Sequence, residues 1–195
     1  MIPPHGGYRR LRSFQAARAV YDATVVFCGR FVDRHSRTRD QMVQAERSGV
    51  RTGSEADTAI RWQNIAEGSM ASATSKKTEL KLTGVARASL EELLLDYEDF
   101  LRQRGLKLWR KDDPRAEAVR LRYQSDQSDE SDTSDPYGIR TADPEVAANT
   151  LICLVNQASY LFGRQLRSLE QTFLAEGGIT ERLYRERQSR RGRQA

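Results

Sequence analysis

Residues 144–173 read PEVAANTLICLVNQASYLFGRQLRSLEQTF. Leu151, Val155, Ala158, Phe162, Leu166, Leu169 and Phe173 recur every three or four positions, the spacing that gathers side chains on one side of an α-helix. Asp143 stands where a side-chain oxygen can accept an orphaned N–H of the first turn. Pro144 suits the first helical position, where its missing N–H removes no hydrogen bond. Gly177 and Gly178 close the pattern, since glycine adopts the left-handed backbone that ends helices.

Upstream, the same rhythm appears at Leu82, Ala86, Leu90, Leu93, Tyr97 and Phe100, predicting a helix over 75–104 without an internal proline. Gly84 and Ala88 lie one turn apart on it, an arrangement that lets a second helix approach closely. Leu11, Phe14, Ala17, Tyr21, Val25, Cys28 and Val32 predict a helix over 8–32. Val20, Thr24, Phe27 and Phe31 form a second stripe beside the first, more apolar than the edge of a bundle requires, and part of it is expected to face a partner subunit. A weaker segment starts after His35 with Thr38 or Asp40 as cap, breaks at Gly49 and Gly53, and resumes at Ile60, Trp62, Ile65 and Ala66. Helices joined in this order predict an all-α fold, an antiparallel up-and-down four-helix bundle over 8–178.

The connections differ in character. Residues 1–7 read as a flexible N-terminus, 50–62 as an inserted segment and 111–143 as a partly disordered acidic loop. Within that loop Asp126, Asp129, Glu130, Asp132 and Asp135 occur with no basic or aliphatic neighbour between 124 and 135, too little apolar surface to offset the entropy lost on ordering. Such a segment is a solvated linker or a mimic of nucleic acid. The whole chain carries +5, and residues 179–195 alone hold six arginines against two glutamates. They form a basic C-terminal segment in which Ile179, Leu183 and Tyr184 supply an apolar side. No run of apolar residues reaches the length of a membrane span, so a cytoplasmic protein without membrane contact is expected.

Little in the sequence supports catalysis. His5 and His35 both lie outside the strong stripes, which removes the Glu-x-x-His pairs of bundle di-iron sites and any base positioned for a nucleophile. Phosphate-binding and dinucleotide-binding glycine motifs do not occur. Cys28 and Cys153 sit in apolar runs and read as two buried thiols. Glu92, Asp96 and Asp99 share one helical face and Glu91 and Glu98 a neighbouring one. That row could take a divalent cation or arginines from a neighbour, but it reads first as a solvated or salt-bridged face. No metal or other cofactor is expected. Lys76, Lys77 and Lys81 crowd the start of a helix, where positive charge opposes the dipole. With Arg182, Arg185, Arg187, Arg190, Arg191 and Arg193 they are the candidate nucleic-acid-binding residues, set against a basic surface without a partner.

The run QNIAEGS at 63–69, followed by SKKTEL at 75–80, ARASLEE at 86–92 and DYEDFL at 96–101, resembles the four-helix-bundle proteins of ribosomal-RNA intervening sequences, with the four-helix-bundle suffix domain as the nearer branch. SFQ at 13–15, VYDAT at 20–24, FC at 27–28, DQM at 40–42 and TERLY at 180–184 extend the resemblance over most of the chain. It implies an up-and-down bundle without enzymatic activity and a homo-oligomer, a pentamer in some members. One relative, the accessory protein of diversity-generating retroelements, binds nucleic acid and a reverse transcriptase. Asn64, Glu67 and Gly68 of the shared motif are expected to be structural, with side chains bonding backbone at a helix junction and a glycine permitting the turn; a binding role for Glu67 is the alternative. The expected function is a homo-oligomeric bundle that takes RNA or DNA by charge and shape, or else a protein-interaction scaffold or accessory subunit.

Overall fold

The computed structural model describes residues 11–33, 76–125, 135, 137–177, 184, 187 and 188. Four helices make up this part: α1 Arg12–Phe31, α2 Lys76–Gln103, α3 Pro114–Ser125 and α4 Pro144–Glu176. Among the described residues there is no strand. The N-terminus, the 50–62 insertion, the weak helical segment between 38 and 66 and the acidic stretch 126–134 lie outside the described residues.

The ends of the helices follow from their sequences. Asp143 accepts from Val146 N–H at 2.9 Å, Pro144 opens α4, and Gly177 closes it at φ 71°, its N–H bonded to Phe173 O at 2.8 Å. At 33 residues α4 is about 50 Å long. Gly105, at φ 64°, ends α2 in the same way and lets Leu106 N–H reach back to Leu101 O at 2.9 Å.

Side-chain contacts fix the directions of the three long helices. Ser13 near the start of α1 bonds Gln165 late in α4, while Arg30 at the end of α1 donates to Ile139 O and to Ala142 O just before α4 begins. These two helices are therefore antiparallel. Tyr97 OH donates to Thr24 Oγ1 at 2.8 Å, and Arg104 just past α2 donates to Phe31 O at 3.1 Å, so α1 and α2 run the same way. Arg87 lies beside Gly163, its Nη1 3.7 Å from where a Cβ on that glycine would sit, while Asn149 at the other end of α4 bonds Lys107 O at 2.8 Å. Thus α2 also runs against α4.

The core fills the space between these three helices. Leu151, Val155, Ala158 and Phe162 of α4 are fully buried against Leu93, Tyr97 and Leu101 of α2 and Val20 and Phe27 of α1. A fully buried side chain of this size contributes about 1.5–3 kcal/mol. The Phe27 ring meets Tyr97 edge-on at 5.0 Å and Phe100 at 4.8 Å.

The structure revises several expectations. Most of the second stripe of α1 turns inward: Val20, Thr24 and Phe27 have no exposed area and only Phe31 is partly open, while Val25 of the first stripe is 45% exposed. The reason is rotational, because α1 must meet α2 and α4 together and its apolar centre falls between the two stripes. Gly84 and Ala88 do not mark a close approach: a methyl group added at Gly84 would meet no atom within 4 Å, and Ala88 is exposed. Cys28 is buried, as expected, but Cys153 is only partly so. Finally, α3 occupies the beginning of the segment expected to be partly disordered. Ala116, Val119 and Tyr123 give it a short apolar side that rests on α4.

Candidate nucleic-acid interface

The antiparallel pairing of α2 and α4 brings separate basic residues into one half of the molecule. Arg87 and Gly163 stand side by side. Ten residues toward the N-terminus of α2 lies Lys77, and ten toward the C-terminus of α4 lies Phe173; at about 1.5 Å per residue both are about 15 Å from that level. Lys76, Lys77 and Lys81 therefore lie toward the end at which the chain leaves α4 for the arginine-rich segment; Arg167 is about 6 Å from the Arg87–Gly163 level on that side, Arg164 is close to the level itself, and Glu79 and Glu170 lie along the same stretch. Lys77, Lys81, Arg164 and Arg167 are exposed. No carboxylate among the described residues forms an ion pair with any of these four.

Some charges elsewhere on the surface are paired. On α2, Arg87 pairs with Glu91 at 3.1 Å and Arg102 with Asp99 at 2.9 Å. The middle of that helix is acidic. Burial raises the Asp96 carboxyl above its ordinary value, with Asp99 and Glu92 adding repulsion. The described residues contain no group of side chains arranged to hold a metal ion, and Glu92, Asp96 and Asp99 do not form one.

Of the sequence candidates, the structure brings together Lys76, Lys77 and Lys81. Arg187 is helical and exposed, and the Gln188 side chain donates to Tyr184 OH at 3.1 Å one turn back. Arg182, Arg185, Arg190, Arg191 and Arg193 lie outside the described residues, as do Asn64, Glu67 and Gly68. Sequence reading missed Arg164 and Arg167. Their signal is nonetheless present: between Glu145 and Glu170, α4 carries no carboxylate at all.

A second polar constellation braces the opposite end. Asn149, 1% exposed, accepts from Trp109 N–H at 2.7 Å and donates to Lys107 O at 2.8 Å and Glu145 O at 2.9 Å. Glu145 accepts from Lys107 N–H at 3.2 Å and from the Trp109 indole at 3.4 Å. The Arg115 guanidinium lies 4.4 Å above the Trp109 ring and bonds Asp113 at 2.9 and 3.1 Å. Arg120 donates to Lys111 O at 2.8 Å, and a shallow depression is lined by Arg110, Lys111, Asp112 and Arg120. Together these bonds hold the turn between α2 and α3 onto α4.

The hydrogen bonds from the Arg115 side chain and backbone hold the Asp113 carboxyl well below its ordinary value of 3.8, at about 2. A lowered pKa means that the folded state favours the ionised form. The resulting stabilisation is complete above the ordinary value and is lost as pH falls through about 2. Asp113→Asn is therefore expected to melt at a lower temperature than the wild type at neutral pH. The gap should close on acidification toward pH of about 2; a gap that persists unchanged in acid would show that the Asp113 charge is not its source.

No helix among the described residues is long and apolar enough to cross a membrane. No family model, no curated protein and no solved structure matches the chain.

Proposed function

We propose that this chain is a non-enzymatic, homo-oligomeric four-helix-bundle protein that binds RNA or DNA by charge and shape, and that it is related to the bundle proteins of ribosomal-RNA intervening sequences. The observation that carries the binding role is a set of exposed cations without ion pairs among the described residues, Lys77 and Lys81 from α2 and Arg164 and Arg167 from α4, in the half of the molecule that leads to the arginine-rich segment. Exposed cations with local carboxylates spend much of their field on those neighbours; unmatched ones leave it to an outside polyanion, whose condensed counterions are released on contact.

The parallel course of α1 and α2 supports the bundle. The chain leaves α1 beside Phe100 and the start of α4, yet α2 begins at the other end, about 42 Å away along its 28 residues. Residues 34–75 join these two ends in the sequence, and the up-and-down bundle we propose requires there the helix that Ile60, Trp62, Ile65 and Ala66 predict.

One observation favours the scaffold reading. Leu95 on α2 is 63% exposed and is flanked at helical spacing by Glu92 and Glu98 and by Glu91 and Asp99, which pair with Arg87 and Arg102, a surface suited to a basic protein.

The deciding measurement is a fluorescence-anisotropy titration of nuclease-treated protein against structured RNA and single-stranded DNA at two salt concentrations. Binding is expected to weaken steeply with salt. Deleting residues 179–195 and, separately, introducing Lys77→Glu with Lys81→Glu should each weaken it and flatten the salt dependence, by about 0.7–0.9 in log-log slope for every phosphate no longer neutralised. Absence of binding by the wild type at low salt would overturn the nucleic-acid role and leave the scaffold.

A further inference from the structure

We propose that the outer stripe of α4 is a track for a single nucleic-acid strand, with Tyr160 as a base-stacking platform between Arg120 at one end and Arg164 and Arg167 at the other. The inference rests on the nucleic-acid reading above and specifies the strand and its path.

The stripe is set by helical geometry. Cys153, Tyr160, Arg164, Arg167, Gln171 and Leu174 are separated by seven, four, three, four and three residues, so all lie within a narrow sector of the helix. It is the sector turned away from the core, because Leu151, Val155, Ala158 and Phe162 occupy the opposite one. Asn156, Arg164, Arg167 and Gln171 are exposed, and Tyr160 is 57% exposed. Among the described residues, no packing partner requires an aromatic ring this open.

The charges along the stripe are mainly positive. Between Glu145 and Glu170 α4 carries no carboxylate, and the acidic groups near the track are confined to its two ends, Asp113 beside Cys153 and Glu170 beyond Arg167. At its far end α3, which carries Arg120, packs on α4, and both Arg120 and Asp113 act on the Cys153 thiol, with opposite signs. Between residues 107 and 122 the chain holds six cations and three anions, and the depression beside Arg110, Lys111 and Arg120 lies there. From Cys153 to Arg167 the stripe runs about 21 Å. The face of α2 offers no equivalent route, since Glu91, Glu92 and Asp99 interrupt it.

The exposed tyrosine selects the single strand. In a duplex the bases already stack on one another, and only their edges reach the grooves. An unpaired base can lay its face on the Tyr160 ring while flanking phosphates meet the arginines, the combination used by proteins that hold single strands without sequence preference.

The test is anisotropy with the full-length protein and a short unstructured oligouridylate, with a blunt duplex of equal charge as comparison. Tyr160→Ala is expected to weaken single-strand binding about tenfold, and Tyr160→Phe, which keeps the ring, to retain it. Arg164→Gln with Arg167→Gln should lower the salt slope by about 0.7 for each phosphate released. Because these side chains are exposed, unchanged melting temperatures are expected and distinguish weakened binding from unfolding. Equal binding by the wild type and Tyr160→Ala, or a preference for the duplex, overturns the track while leaving charge-driven binding in place. No binding of either probe by the wild type removes the nucleic-acid role itself.

Discussion

Phe27→Ala is expected to destabilise the protein by about 3–5 kcal/mol, the range for truncating a large buried aromatic side chain. Phe27 has no exposed area and sits where α1 meets α2, with its ring against Tyr97, Phe100 and, at 5.2 Å, Phe31. Removing it deletes apolar packing on three sides and leaves a void whose lining is partly fixed. Tyr97 is anchored by its hydroxyl to Thr24, whose own hydroxyl donates to Val20 O at 2.7 Å, so the ring cannot simply slide inward. For a chain of this size each kcal/mol lowers the melting temperature by about 2–4 °C, giving a drop on the order of 10 °C. Phe27→Leu should lose less than half as much, because it refills part of the volume. Thermal melts of the two variants check the ranking. A Phe27→Ala melting temperature equal to that of the wild type would mean that α1 does not pack on α2 through this ring.

The periodic stripes were legible because they answer to one requirement, burial of apolar area on one side of a helix. Phe14 of α1, Leu90, Leu93, Tyr97 and Phe100 of α2 and Leu151, Val155 and Phe162 of α4 were all marked by spacing and are all buried. Capping by Asp143 and termination at Gly177 were equally local and equally readable. What spacing does not give is rotation. On α1 two adjacent stripes compete, and only the positions of α2 and α4 decide that Val20, Thr24 and Phe27 point inward. Helix α3 was missed for a related reason: Ala116, Val119 and Tyr123 make too brief a pattern to stand out among charged neighbours, and the helix depends on α4 for support.

For the candidate interface the sequence marked Lys76, Lys77 and Lys81 because they are contiguous. Arg164 and Arg167 are embedded in an apolar helix, and their relation to the lysines comes only from α2 running against α4. Tyr160 reads as one more apolar residue until its exposure is known. Absence of carboxylates over a long stretch was visible, but acquires meaning only once the stretch is seen to have an outward side.

Asn149 shows the opposite limit, a polar residue placed in the middle of an apolar run. Asn149→Leu is expected to cost about 2–4 kcal/mol, since it leaves the buried Trp109 N–H and Lys107 O without the partners that replaced water, at about 1–3 kcal/mol for each unmet group. The loss should be local as well as global. The turn at 106–113 is tied to α4 through Asn149 and Glu145, and through Arg115 and Arg120 it also braces α3. Hydrogen exchange is therefore expected to accelerate at Trp109 and across α3 more than at Leu93 or Leu154, which lie in the core between the long helices. Asn149→Asp separates donor from acceptor. It retains an oxygen for Trp109 N–H but turns two donated bonds into a carboxylate facing the Lys107 and Glu145 carbonyls, so at neutral pH it should be at least as damaging as leucine. Because protonation restores one donor, part of the loss should be recovered in acid. If Asn149→Asp instead matches the wild type at neutral pH, the amide is not donating to those carbonyls, and the turn must be held by Glu145 and Arg115 alone.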